Sequence, residues 1–176
     1  IFVEKPLAIN ILELNKIIEK YKSSNLSITV GFNRRFSSFS KEIKKQLGDS
    51  KQPINVIATM NAGFIDQDHW VQDMDIGGGR IIGEACHYID LISFYANSKV
   101  KSVVMNSYGL SPKINSDNVS ILLKYENGSQ GIINYFSNGS KSYSKERIEI
   151  FDSNKNIILD NFRRLDFFGY KTKNKR

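Results

Sequence analysis

Three short stretches hold side chains able to move protons or stabilise charge: Glu4-Lys5-Pro6, FNRRF at 32–36, and GGGRIIGEACHYIDL at 77–91. His87 is one of only two histidines. An imidazole both accepts and donates a proton near neutral pH, which suits general acid–base work. Glu84 lies three residues earlier, so on an α-helix it shares a face with His87, where a carboxylate orients the ring and favours its protonated form. A satisfied structural histidine and a carboxylate near a helix start are the plainer alternatives for the two. Lys5 closes an apolar run that reads as a buried strand end. At the carboxyl end of a parallel strand, where open α/β sheets bind their ligands, a lysine faces a cleft; the alternative is a surface lysine in a turn.

His69 and Trp70 sit in DHWVQD, a loop just ahead of the glycines, where they either line a pocket or anchor the loop on the core. A zinc site from His69, Cys86 and His87 is not expected, because adjacent residues on a helix point apart and the chain has no Cys-x-x-Cys pair, so no metal ligands are assigned. No Gly-x-Ser-x-Gly elbow is present either. Gly77-Gly78-Gly79 lacks the spacing of both nucleotide-binding fingerprints, so these glycines are read as allowing close backbone approach to a ligand or a neighbouring segment.

The elements that must position these residues can be read from periodicity. The opening IFVEKPLA gives a strand end, 9–24 an amphipathic helix with Ile11, Leu14, Ile17, Ile18 and Tyr21 on its apolar face, packed on a sheet, and LSITVGF a second β-rich run. Strand, helix, strand in that order implies a parallel βαβ unit. A helix at 37–48 has serine at its start and Gly48 at its end. Beyond Pro53 come a strand at 54–64, a loop, a helix at 80–96 with Ile82, Cys86, Ile89 and Phe94 on its apolar side, and strands near 100–109, 117–125, 130–137, 146–151 and 156–160. Asn127-Gly128 reads as a two-residue hairpin turn with positive φ. The expected fold class is α+β: the end of a Rossmann-type βαβ unit at 1–36, then a mainly antiparallel open sheet with helices on one face at 37–176.

A chain of 176 residues with 40% hydrophobic content can build a packed core. The net charge of +7 invites a nucleic-acid reading, but RRLDFFGYKTKNKR at the C-terminus holds six Lys/Arg and one Asp, hence five of the seven charges. The tail is read as a solvated terminus, and nucleic acid is not an expected partner. One cysteine, no bilayer-length apolar run and no secretory start point to the cytoplasm, with no membrane contact. A start at Ile1 inside a strand end reads as a fragment of a longer protein.

Taken in order, EKPLA at 4–8, GFNRRF at 31–36 and GGGRIIGEACHYIDL at 77–91 resemble the glucose-fructose oxidoreductase, inositol dehydrogenase and rhizopine-catabolism (Gfo/Idh/MocA) family of NAD(P)-dependent oxidoreductases. DHWVQDMDIGGGRIIGEACH looks most like the bi-domain oxidoreductase branch, tied to surface-polysaccharide and sugar-nucleotide metabolism. The resemblance implies a sugar-like small-molecule substrate, NAD or NADP as cofactor, and a homo-oligomer built through the open sheet. It implies that Lys5 binds the reacting oxygen, that His87 is the proton donor or acceptor, and that Glu84 is a candidate third catalytic group. Glu4, Lys5, Pro6 and Arg34 would contact cofactor; Lys5, Arg35, Trp70 and His87 would contact substrate. Pro6 would fix the turn that aims Lys5, through a cis Lys5-Pro6 bond. There is one departure: many members place an Asp four residues before the His, where this chain has Gly83. Glu84 is one residue later, a rotation of about 100° on a helix. The displaced acid also suits a non-catalytic sugar-binding or subunit-assembly module of the same fold. The dinucleotide-gripping half, with its Gly-x-Gly-x-x-Gly loop, would lie outside this sequence, so catalysis by these 176 residues alone is not expected.

Overall fold

The computed structural model describes residues 1–48, 52–114 and 116–176. Strand β1 (Phe2–Val3) pairs in parallel with β2 (Thr29–Val30), and helix α1 (Ile11–Lys22) connects them, so the parallel βαβ unit expected from the sequence is present. Asn10 caps α1 by accepting from the Glu13 amide, and Glu13 and Lys20/Lys22 suit the helix dipole at either end. The expectation that α1 packs its apolar face on a sheet needs correction. No residue of α1 is buried, and Ile11, Leu12 and Tyr21 remain exposed. The physical reason is that two strands of two residues each offer too little surface to cover a twelve-residue helix.

Helix α2 (Ser38–Leu47) starts at Ser37, whose hydroxyl accepts from the Ser40 amide, and stops at Gly48 with φ +67°, as its sequence predicts. The remaining strands form one seven-stranded sheet: β3 (Asn55–Asn61), β4 (Val100–Ser107), β5 (Val119–Tyr125), β6 (Gln130–Phe136), β7 (Glu146–Asp152), β8 (Lys155–Asp160) and β9 (Arg164–Phe168), in the order β4-β5-β6-β3-β7-β8-β9. Only the central β3–β6 pair is parallel. The fold class is therefore α+β, as expected. Period-2 alternation fixes the register. Ile121, Ile133, Ala58, Ile148 and Leu159 lie side by side across five strands, all buried on one face under α2 and the helix that follows the glycines.

Two local expectations change. The β5–β6 connection is a turn in which Tyr125 accepts from the Gly128 amide, and only Gly128, with φ +88°, is left-handed. It is the three-residue type I turn with a bulge at glycine, not the two-residue form. The basic C-terminus is not simply solvated. Its first part is β9, with Leu165, Asp166 and Phe167 buried; Lys175 bridges back to Leu165; and Arg164 and Arg176 both pair with Asp166. The apolar Leu165 and Phe167 alternate correctly for a strand within a run whose charges dominate its composition.

The helix after the glycines is split. Ile81–Ala85 is a π-helical turn and α3 runs from Cys86 to Ala96, ending at Asn97 in the left-handed region. Its buried face is Ala85, Tyr88, Leu91, Ile92 and Tyr95, while Ile82 is exposed and Cys86, Ile89 and Phe94 are only half-buried. The expected apolar side is thus rotated, because the wider π turn shifts the phase of every residue after it. Among the described residues, no helix is long and apolar enough to cross a membrane.

Candidate active site

Lys5 leaves the end of β1 into a cis Lys5-Pro6 bond, as the resemblance implies. Its Nζ donates to the carbonyl of Gly83 at 2.6 Å, a contact spanning 78 residues of sequence. This single bond carries the ammonium to the π turn. A cavity of about 350 Å³ opens there, lined among others by Lys5, Pro6, His69, Trp70, Gly77 and Glu84. Lys5 therefore faces a cleft, and an ammonium with three protons keeps two for a ligand.

The glycines shape this wall. A Cβ on Gly77 would sit 2.5 Å from Val71 Cα and 2.6 Å from the Trp70 carbonyl oxygen, so only glycine allows the two loops to touch. Gly78, at φ +69°, lies against Ile9. Trp70, 62% exposed, lines the cavity rather than anchoring in the core, and His69 Nδ1 accepts from the Val71 amide.

His87 sits one turn further on and is buried. Phe32 stands edge-on to its ring at 6.1 Å, and Nδ1 has no hydrogen-bond partner among the described residues. Burial, then the positive charges of Arg34 and Lys5, push its pKa down to about 4. The imidazole is neutral near pH 7 and able to accept a proton. Glu84 neither orients this ring nor keeps it protonated, contrary to the sequence reading. Its Oε1 accepts from Arg80 Nε at 3.2 Å and its Oε2 from the Tyr135 hydroxyl at 2.7 Å. The π turn is the reason: it breaks the i, i+3 alignment on which that expectation rested.

The structure does not gather every candidate. Arg34 forms two hydrogen bonds to Glu146, at 2.7 and 3.1 Å, with its guanidinium 5.2 Å from the centre of the Tyr88 ring. Arg35 donates through Nε and Nη2 to the two carboxylate oxygens of Asp90 and stacks on Phe94. Both arginines fasten the first 36 residues to α3 and β7 and stand outside the cavity lining. The Glu4 side chain lies over Gly31.

Arg80, Asp117 and Tyr135 escaped the sequence reading. Arg80 is 2% exposed and links Glu84 to Asp117. The i, i+4 spacing of Arg80 and Glu84 was a usable signal. Asp117, just before β5, and Tyr135, on β6, lie far along the chain, and nothing local marks them.

With fold and site in place, comparison with known proteins is informative. Residues 48–158 match the family model described as the GFO/IDH/MocA C-terminal domain. Myo-inositol 2-dehydrogenase of Thermotoga maritima is 25% identical over 171 residues, covering 93% of this chain and 50% of its own length. The chain thus spans about half the length of the curated relatives it matches. Among solved structures, an NAD binding oxidoreductase from Klebsiella pneumoniae superposes with TM-score 0.80 at 18% identity, over 98% of this chain and 51% of that one. The WlbA dehydrogenase from Bordetella pertussis, solved in complex with NADH and UDP-GlcNAcA, gives TM-score 0.80 at 18% identity, over 98% and 55%. A family model matched over more than half of the sequence, on a fold shared with these dehydrogenases, places this chain in the GFO/IDH/MocA family.

Proposed function

We propose that this chain is the C-terminal part of an NAD(P)-dependent oxidoreductase that moves a hydride between a nicotinamide cofactor and a sugar, sugar-nucleotide or cyclitol. Residues 1–36 are the end of its dinucleotide-binding domain, and 37–176 its substrate and assembly domain. The observation that carries this reading is the Lys5 Nζ–Gly83 carbonyl bond, which sets an ammonium from a strand end against the π turn that holds Glu84 and leads into the helix carrying His87.

Removing hydride from a carbinol carbon requires loss of the hydroxyl proton. Lys5, with two protons free, stabilises negative charge building on that oxygen. His87, neutral and with a buried unpartnered nitrogen, takes the proton. The residues present fit a nicotinamide ring: the half-buried Lys5 lines an open cavity, and the buried, orphaned Nδ1 of His87 lies outside that lining, three residues beyond Glu84. Glu4, Lys5 and Pro6 would hold that end of the cofactor, which when bound supplies the hydride acceptor or donor. Arg34 would act there only through its pair with Glu146. Arg35 would act on substrate only indirectly, through Asp90. By itself the chain lacks a Gly-x-Gly-x-x-Gly loop, and turnover is expected only from the longer protein.

In that longer protein, Lys5→Ala and His87→Ala should each lower kcat/KM by about 10²-fold or more with unchanged circular dichroism. Near wild-type turnover in both variants sinks the roles given to them.

A further inference from the structure

The tripeptide Asn-Gly-Ser occurs twice in the chain, at 127–129 and 138–140. Asparagine is chemically labile, most of all before glycine, whose amide nitrogen reaches the carboxamide carbon with no side chain in the way. Both copies share the glycine and the serine after it, so their local chemistry is the same. Any difference in reactivity must come from the fold.

The fold treats the two oppositely. Asn127 is half-buried in the β5–β6 turn. Its Nδ2 donates to the Ala96 carbonyl at 3.0 Å, and its Oδ1 accepts from the Ser129 amide at 3.1 Å. The Gly128 amide, the group that would have to attack, donates to the Tyr125 carbonyl at 3.1 Å. Electrophile and nucleophile are both held, and the turn must open before they meet. Asn138 follows β6 and is exposed, as is Gly139. Among the described residues, neither the Asn138 carboxamide nor the Gly139 amide has a hydrogen-bond partner. Packing also explains why this glycine is needed: a Cβ on Gly139 would lie 2.1 Å from Asn61 Oδ1, while Asn61 Nδ2 donates to the Ser140 carbonyl at 2.7 Å. The residue that makes Asn138 reactive is the one that lets the loop close on β3.

We infer that Asn138 is a site of spontaneous covalent modification and that Asn127 is its protected twin. The Gly139 nitrogen bonds to Asn138 Cγ and gives up its proton, the Cγ–Nδ2 bond breaks, and ammonia leaves, forming a five-membered succinimide. Water then opens the ring at either carbonyl, leaving aspartate or isoaspartate. Nothing is oxidised or reduced, and water is the only co-reactant. Either product adds a negative charge three residues before Lys141. Isoaspartate also lengthens the backbone by one carbon between the Ser137–Asp117 and Asn61–Ser140 contacts. The inference is independent of the proposed dehydrogenase site.

The test is incubation of the chain in warm, mildly alkaline buffer, followed by trypsin and fragmentation mass spectrometry. Both tripeptides fall on one tryptic peptide, 125–141, so the two sites are compared within the same molecule. Conversion of amide to acid should be at least about tenfold faster at Asn138 than at Asn127, where three hydrogen bonds must open first. In urea that unfolds the chain the two rates should converge, and Asn138→Gln should remove nearly all the conversion seen in the folded chain. Comparable rates in the folded chain, faster reaction at Asn127, or a preference for Asn138 that persists in urea overturns the inference. So does a folded chain whose Asn138 stays intact over the time in which the unfolded chain converts.

Discussion

The imidazole of His87 carries a pH signature that belongs to it alone. Its pKa falls from 6.5 to about 4 because burial and the cations of Arg34 and Lys5 oppose its charge. Between those two values the unfolded chain binds a proton that the folded chain excludes, so stability is lost as pH falls through that window and is unaffected by His87 above it. The full loss is roughly 3 kcal/mol. Urea denaturation from pH 7 to pH 4 should show this slope in wild type, and His87→Gln should flatten it. Equal slopes would mean that the imidazole titrates normally and is not sealed in the fold. At this scale the sequence disclosed identities better than partnerships. Lys5 and His87 are legible as reactive groups, while the binding of Glu84 to Arg80 and Tyr135 depends on a hydroxyl 51 residues away.

Among the elements, the glycine turn and the π turn decide how the site is built. Gly77 packs directly on the backbone of Trp70 and Val71, where no Cβ fits. Gly77→Ala should therefore cost about 1–3 kcal/mol and reshape the cavity wall. Denaturant midpoints, with Gly83→Ala as a control whose nearest contact is 3.9 Å away, measure it. A control as damaging as Gly77→Ala would refute the loop-contact argument. The strands were readable because a two-residue period survives any register. Helix 80–96 was placed correctly, but its phase was not: a π turn leaves no mark in apolar spacing. Strand β9 was missed because its charged neighbours outweighed the alternation of Leu165 and Phe167 in composition.

For the molecule as a whole, two uncovered surfaces remain. One is the apolar skin of the first unit, where Ile1, Phe2, Ile11, Leu12 and Leu26 are exposed; it suits a unit that continues a larger parallel sheet. The other is the outer face of the seven-stranded sheet. Val104, Leu122, Ile132 and Ile57 form a row across four strands, three of them exposed. We propose that this face joins two copies of the chain. Sedimentation should find a wild-type oligomer at micromolar concentration and a monomer for Leu122→Arg/Ile132→Arg. A wild-type monomer would refute the pairing.

The sequence by itself determined most of the helices and strands, the α+β class, the family resemblance and the two residues most suited to proton chemistry. Those follow from short-range properties: side-chain period, turn chemistry and motifs held within a few residues. Only the tertiary structure decided that Lys5 reaches the Gly83 carbonyl, that Arg34 and Arg35 serve as fasteners outside the cavity, and that Glu84 faces it already gripped from behind. Each is a contact between segments dozens of residues apart, made or lost by a rotation of one turn, and no local pattern encodes that angle.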